Sequence, residues 1–488
     1  MRVDIKDLLK KDFRLYENKD YTFTKINDKY EPITFGDFLR RTDRFVKFLL
    51  EEGYKGKRIM VYGENSVSWM VADLAIVGFV GASIGAPAAW KTDDVDNEIG
   101  HLDIACVFYS ESKKEYIDSV KAHYPDVKFY PLEMTTDGTL ELDESLNADT
   151  LFEFESRDYE DCAKVVFSSG TTSFPKAVML SLKNIFAGIE STYRRCPFTE
   201  NEVAYTFVPF SHTYGGIYNF YYSLYYGFQI YLTSRISNIV TEIREVNPTA
   251  FCAVPLILNR MLEGYGEDKI KYAFGNRIRY LFVGGAEFSR DVKRIYKEQG
   301  LNLIEAYALS ETGSSFAFEY SDDPAIMSTG TVFEDLEVEV RNPDEKGYGE
   351  VCCKGDAVFL GYMNEPGVTA EVLSDDGWFK TGDIGYVDEE GHLYITGRSK
   401  KLLLGPNGEN INDEKIRKQI REAVPDVSDI KIFLKDNELT CFIYVPNDEL
   451  KELDWNNILA DINARNAKYD NVRAFKVFKD NLENRLKQ

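Results

Sequence analysis

Short apolar runs alternate with amphipathic stretches through the first three hundred residues. The run Arg58-Ile59-Met60-Val61-Tyr62 has the length of a buried strand, and the apolar positions from 67 to 80 continue as a helix. A second strand follows at 104–108 and a second helix at 113–123. Strand–helix–strand order predicts a largely parallel sheet covered by helices. The rhythm resumes at 203–207, in a helix after Tyr214, and at 229–232, 250–254 and 278–283, which predicts a second such sheet. Beyond Ser328 the strands become closely spaced and are separated by Gly and Asp turns. The fold class expected is therefore α/β. A large N-terminal domain over 1–398 holds two helix-covered sheets and a small antiparallel β subdomain at about 328–398, and a small α+β domain spans 399–488.

The most apolar span, 66–90, is interrupted by Asp73 and closed by Pro87, so it is too short to cross a bilayer and reads as a buried crossover helix and turn. The first residues are charged and lack an apolar core, which excludes a secretory signal there. A net charge of −23 without any basic run disfavours nucleic acid or an anionic membrane as a general partner. Seven scattered cysteines without C-x-x-C spacing fit a reduced, cytoplasmic setting. Four histidines, none at metal-ligand spacing to another His or Cys, argue against a protein-built zinc site.

The chemistry concentrates in Ser168-Ser169-Gly170-Thr171-Thr172-Ser173-Phe174-Pro175-Lys176. An apolar strand leads in and another leads out, and Ser181 stands where a helix cap belongs. Backbone N–H groups around Gly170, the hydroxyls and the Lys176 ammonium suit polyphosphate oxygens. The Walker A pattern cannot be laid on this loop. Further segments follow in order: Pro209-Phe210-Ser211-His212, Gly284-Gly285-Ala286, Tyr307-Ala308-Leu309-Ser310-Glu311-Thr312, Gly349-Glu350-Val351 to Gly361-Tyr362, Gly377-Trp378-Phe379-Lys380-Thr381-Gly382-Asp383, and Gly397-Arg398-Ser399-Lys400. Together they resemble the motifs of the adenylate-forming superfamily of acyl-CoA synthetases, stand-alone adenylation domains and firefly-type luciferases.

That resemblance implies an activity: ATP and Mg²⁺ activate a carboxylic acid to an acyl-adenylate with release of pyrophosphate, and the acyl group then passes to CoA or to the phosphopantetheine of a separate carrier protein. Among the residues, Ser168, Ser169, Gly170, Thr171, Thr172 and Lys176 would hold phosphate, and Glu311 would hold the metal. Gly284, Gly285, Ala286 and Tyr307 would take adenine, Ser310 the α-phosphate, and Asp383 and Arg398 the ribose or phosphate. His212 is implied near the acyl carboxylate, with a structural histidine as its alternative. Tyr214, Tyr218, Tyr221 and Tyr225 fall on one helical face, part of which is expected to line an apolar acyl pocket suited to a fatty or aryl acid. Lys400 matches a hinge that lets a mobile C-terminal domain serve both half-reactions.

Glycine is usual where this chain has Ser173, Ala177 and Ala308, and the usual terminal G-K is missing, which leaves Lys487 as the candidate adenylation lysine and Lys479 as runner-up. The segment Gly405-Pro406-Asn407-Gly408-Glu409-Asn410-Ile411 resembles one in long-chain acyl-CoA synthetases and tilts the reading toward fatty acids. A carrier-loading adenylation enzyme and a non-catalytic nucleotide or acyl-adenylate sensor stand as the alternatives.

Overall fold

The computed structural model describes residues 3–168, 176–233, 235–285, 288–313, 316–319, 328–345, 347–398, 402–404, 410–435, 438–464, 466 and 471–480. Two large sheets organise most of it, as the alternating pattern predicts. In the first, Leu303–Tyr307, Tyr280–Val283, Ala250–Ala253, Val203–Thr206, Gln229–Leu232 and Asp20–Ile26 lie side by side, all parallel. In the second, Cys162–Ser168, Ala82–Ala86, Arg58–Tyr62, Cys106–Tyr109 and Lys128–Pro131 are parallel neighbours. Lys176–Ser181 then runs antiparallel to Cys162–Ser168, and the short strand Gly361–Tyr362 runs antiparallel to Lys176–Ser181. Parallel strands covered on both faces lose water from both sides, and Ile59, Met60, Val61, Ile84, Val107, Val165 and Val166 are accordingly buried completely.

The 66–90 span departs from the single helix and turn expected. Val67–Ala75 is α-helical and Ile76–Val80 continues as a π-helical turn, but Ala82–Ala86 is a central strand of the second sheet. Small residues disguised this strand, and packing explains them. A Cβ at Gly81 would lie 2.0 Å from the Lys57 carbonyl, and one at Gly85 would lie 3.2 Å from Ser211 Cα. Ser66 caps the helix by accepting from Trp69 N at 3.1 Å. Among the described residues no helix is long and apolar enough to cross a membrane.

The amino-terminal helix Ile5–Tyr16 is capped by Asp4 and buries Leu8, Leu9, Asp12 and Phe13. Asp12 is completely buried, and neither carboxylate oxygen has a hydrogen-bond partner. Burial pushes its carboxyl up to about 8, against a smaller opposing pull from Lys11.

Later in the chain, Leu336–Arg341, Gly349–Gly355, Phe379–Val387 and Leu393–Arg398 form a four-stranded sheet in that order. By compactness the chain divides into two units, one of residues 1–339, 352–381 and 387–394, the other of 340–351, 382–386 and 395–488. Within the second unit Asp429–Lys435 pairs antiparallel with Glu438–Val445, which pairs in parallel with Ala474–Lys479. Ile416 and Ile420 of helix Asp413–Ala423, and Trp455 and Ile462 of helix Trp455–Ala464, pack with Ile430 and Ile443 into a separate small core.

Candidate functional site

The strand Cys162–Ser168 and its return Lys176–Ser181 form a hairpin in which Ser168 faces Lys176 across the ladder. Ser169, Gly170, Thr171 and Thr172 of the expected phosphate loop lie outside the described residues. The return strand ends on Ser181, whose side chain accepts from Asn184 N at 3.2 Å while Asn184 Oδ1 accepts from Ser181 N at 2.8 Å, a reciprocal cap for helix Leu182–Arg195. Asn184 Nδ2 also donates to the carbonyls of Asp356 and Val358, both at 2.8 Å. That anchors the segment leading to Phe359, whose N–H donates to the Glu311 carbonyl at 2.8 Å.

These bonds bring Glu311 to the hairpin. Its side chain is 8% exposed, and Oε1 accepts from the Tyr362 hydroxyl at 2.8 Å. The Lys176 ammonium lies over the Tyr362 ring, 4.7 Å from its centre. Tyr362 itself sits on Gly361–Tyr362, the edge strand paired with Val178 and Met179. The phenol thus holds the carboxylate with its hydroxyl and the cation with its face. Gly313, with φ of +56°, turns the chain just after Glu311 where a Cβ would lie 3.1 Å from the Asn184 carbonyl.

At the carboxyl ends of the parallel strands of the first sheet, where open α/β sheets bind ligands, lie Gly284, Gly285, Tyr307 and His212. Gly284 follows Tyr280–Val283, and a Cβ there would lie 3.0 Å from the Ala306 carbonyl, next to Tyr307. Gly285 continues at φ +82°, a conformation that favours glycine. Ala286 lies outside the described residues. The Tyr307 ring is half-buried and meets Phe316 edge-on at 5.0 Å. Ser310 opens the short turn Ser310–Thr312 that carries Glu311. His212 stands at the start of the helix after Pro209-Phe210-Ser211, and its Nδ1 accepts from Tyr214 N at 3.1 Å, which puts the proton of the neutral ring on Nε2. The ring reaches solvent, yet desolvation by the protein around it lowers its pKa below the ordinary value and favours the neutral form.

Asn65 fixes the turn before His212, donating to the Val208 carbonyl and accepting from Phe210 N, both at 2.8 Å. The helix after His212 contains a π-helical stretch, Gly216–Tyr221. This correction changes the expected tyrosine stripe: Tyr214 and Tyr218 approach at 6.1 Å, Tyr218 and Tyr222 stack at 5.1 Å, and Tyr222 and Tyr226 lie at 5.7 Å. An i→i+5 turn carries more residues than an α-turn, so every fourth residue lines up and Tyr221 swings away, donating to Asp73 Oδ2 at 2.9 Å. Tyr225 meets Phe186 and Tyr226 instead.

Asp383 is buried, 1% exposed, on Phe379–Val387 and belongs to the second unit. Arg398 ends the strand Leu393–Arg398, and its side chain lies outside the described set, as do Lys400 and Lys487. Lys479 is described, and its ammonium lies 2.6 Å from Asp448 Oδ2. Tyr362, Asn65 and Asn184 were not singled out as site residues from the sequence. The dipeptide Gly361-Tyr362 carried the only signal, and it spoke for a motif rather than for a role.

A family model described as AMP-binding enzyme matches residues 13–363. The chain belongs to the AMP-binding enzyme family. Similar curated proteins include the human long-chain-fatty-acid–CoA ligase ACSBG1, 25% identical over 472 residues that cover 83% of this chain and 65% of that protein. The Drosophila melanogaster long-chain-fatty-acid–CoA ligase heimdall is 24% identical over 476 residues, covering 83% of this chain and 70% of that protein. The match spans about two thirds of the length of the first such relatives, 66% for the Macaca fascicularis ACSBG1. Among solved structures, Bacillus subtilis o-succinylbenzoate CoA synthetase (MenE) in complex with the acyl-adenylate intermediate OSB-AMP superposes with a TM-score of 0.80 at 20% identity, covering 99% of this chain and 98% of that one. ATP-bound MatB from Rhodopseudomonas palustris gives 0.79 at 23% identity, covering 97% and 95%. At such identities the likeness shows the fold, and the α/β architecture expected from the sequence is that fold.

Proposed function

We propose that this protein is an AMP-forming acid:CoA ligase that first joins a carboxylic acid to AMP and then passes the acyl group to CoA. The observation that carries the reading is the group Lys176–Tyr362–Glu311 at the base of the phosphate hairpin, a cation and a buried carboxylate held by one phenol. Formation of an acyl-adenylate needs a carboxylate oxygen to attack the α-phosphorus while the bond to pyrophosphate breaks, so the protein contributes mainly position and charge compensation. Lys176 offsets phosphate charge. With Oε1 taken by Tyr362, Glu311 offers Oε2 to a hard cation, a donor that fits Mg²⁺. Bound there, Mg²⁺ would neutralise charge on the phosphate oxygens.

Neutral His212 presents an N–H donor toward an acyl carboxylate, Tyr307 offers its ring to adenine beside Gly284 and Gly285, and Ser310 donates to the α-phosphate. The proposal assigns Asp383 and Arg398 to the ribose, Lys487 to the adenylation step and Lys400 to the hinge between 1–398 and 399–488. Lys400→Pro, which fixes φ near −65°, is expected to keep acyl-adenylate formation and lose thioester formation, and a wild-type thioester rate in it sinks the hinge. Relatives named as long-chain-fatty-acid–CoA ligases support a fatty acid as substrate and CoA as the acceptor. The tyrosines Tyr214, Tyr218 and Tyr222, the first meeting the second edge-on and the last two stacked, supply an apolar wall in keeping with such a tail.

Pyrophosphate release from ATP, measured across short, long-chain and aryl acids with and without CoA, tests the function. Acid-dependent release together with an acyl-CoA product is expected. Tight ATP binding without release for any acid would replace the ligase with a nucleotide sensor.

A further inference from the structure

A second lysine of the phosphate hairpin lies on its incoming strand, across from the strand of Lys176. Lys164 lies on Cys162–Ser168, on the same face as Ser168 because alternate residues of a strand face alike. It is completely buried, and its ammonium lies 2.7 Å from Oδ1 of Asp73, also completely buried. Asp73 is a hub. Oδ1 accepts in addition from Ser83 Oγ at 2.6 Å, and Oδ2 accepts from the Tyr221 hydroxyl at 2.9 Å. Four elements therefore meet on one carboxylate: the helix Val67–Ala75, the strand Ala82–Ala86, the phosphate-hairpin strand and the π-helical stretch behind His212.

The packing around the pair points to the same junction. The Lys164 ammonium sits over the Trp69 ring at 4.7 Å, and Trp69 in turn meets Phe210 at 5.5 Å, two residues before His212. A Cβ at Gly216 would lie 3.6 Å from Lys164 Cε and 2.6 Å from the Phe210 carbonyl. No larger residue could stand there without moving the His212 turn off the hairpin strand. Burial alone lowers the Lys164 pKa, and the Asp73 charge acts against that shift.

A buried ion pair returns little net stability, because desolvating two charges consumes most of their attraction, but it is strict about distance and direction. We propose that Lys164 and Asp73 are positioning residues for adenylate formation, locking the phosphate-hairpin strand against the helix that begins at His212. The two groups implied to meet the reacting phosphate and carboxylate come from different sheets, and this pair with Tyr221 is a buried charged tie between them, beside the Asn65 bonds to the His212 turn. The proposal rests on the ligase reading above.

The decisive experiment separates position from stability with the double variant Asp73→Leu/Lys164→Met, which removes both charges together and leaves neither buried alone. Melting temperature, ATP affinity and the kcat and KM of acid-dependent pyrophosphate release are measured beside the wild type. Expected are a melting temperature close to wild type, ATP affinity within about threefold, and a kcat lower by ~10-fold or more, since small misplacements of reacting groups are costly. A wild-type kcat in the folded double variant overturns the proposal. Should that variant fail to fold, Tyr221→Phe decides: it keeps the ion pair and removes one strut. Its kcat is expected to fall about threefold with KM for ATP unchanged, and an unchanged kcat overturns the proposal. A wild type that releases no pyrophosphate with any acid overturns the ligase reading and the positioning role with it, whereas failure of the variants' prediction alone leaves the ligase reading standing.

Discussion

Two lysine–glutamate groups flank the strand Leu303–Tyr307, and they resolve their charges in opposite ways. Before it, on helix Arg290–Glu298, completely buried Lys293 lies 2.7 Å from Glu305 and 2.7 Å from Glu319, with Arg290 on Glu305 and Lys297 on Glu319 completing the cluster. After it, Glu311 is bound by a phenol, and the lysine of that group rests on the ring of the same phenol. The first cluster gives each carboxylate two cations and staples helix to sheet. The second joins its charges through a neutral side chain, in keeping with the phosphate and Mg²⁺ roles proposed above for Lys176 and Glu311. Charge burial as such therefore does not mark a functional site here.

Asp12 extends the comparison to a carboxyl with no cation bound to it. Its folded pKa, about 8, is raised from 3.8, so between those values the unfolded chain is ionised while the folded one must hold a proton. The sign follows: this residue costs stability progressively as pH rises through that window, and the cost is complete above about 8. Lys11 and the phenols of Tyr16 and Tyr21 are the titratable groups that sense it. Asp12→Asn removes the titration. From pH 5 to pH 8 the stability of the Asn variant is expected to gain on the wild type by about 4 kcal/mol, read from denaturant unfolding at each pH. A constant gap across that range breaks the idea that an uncompensated buried acid behaves differently from the Lys293 cluster.

Next in size is the cluster itself. Lys293→Met leaves Glu305 with one cation and Glu319 with one, and at completely buried Glu319 burial already raises the pKa above its ordinary value against the pull of Lys293 and Lys297. A loss of about 3 kcal/mol in unfolding free energy is expected, with the kcat of the folded enzyme little changed. The outcome that would blur the two groups is a stable Lys293→Met protein that has lost its catalysis. The mirror experiment uses Glu311→Gln and Lys176→Ala. Each is expected to lower acid-dependent pyrophosphate release by roughly 10²-fold, about 2.7 kcal/mol, while the melting temperature stays near wild type. Rates near wild type in either would remove that residue from the proposed phosphate site.

The contrast also explains what could be read from the chain. The hairpin around Ser168 and Lys176, the Ser181 cap and the parallel strands were legible because each rests on neighbours in sequence: alternation, a hydroxyl before a helix, an apolar run between turns. Ala82–Ala86 was hidden because Gly81 before it and Gly85 within it serve contacts with Lys57 and Ser211, far along the chain, and the same composition elsewhere makes a turn. The tyrosine stripe shifted by one residue because nothing in Gly216–Tyr221 announces a π-turn, whereas the bond from Tyr221 to Asp73 holds it in place. Glu311 and Lys176 were identified as separate motifs. That Tyr362 unites them depends on the edge strand Gly361–Tyr362 pairing with Val178 and Met179, a partnership no local pattern encodes.

Tyr362 is consequently the residue on which the comparison turns, and the smallest change to it is the most informative. Tyr362→Phe keeps the ring, its packing on Phe359 at 5.0 Å and the face beneath Lys176, and removes only the hydroxyl that donates to Glu311. A hydrogen bond to a buried carboxylate contributes about 1.5–3 kcal/mol, so the carboxylate loses orientation but not charge. If Glu311 binds a cation, the phenylalanine variant should need several-fold more Mg²⁺ for half-maximal pyrophosphate release and lose about tenfold in rate at low Mg²⁺, with the deficit shrinking as Mg²⁺ is raised. Were Glu311 instead a structural acid like Glu305, the same substitution would lower the melting temperature and leave the Mg²⁺ dependence where it was. Titrating Mg²⁺ against rate in the two proteins separates these cases, because only a ligand role ties the phenol's hydrogen bond to the concentration of a cation.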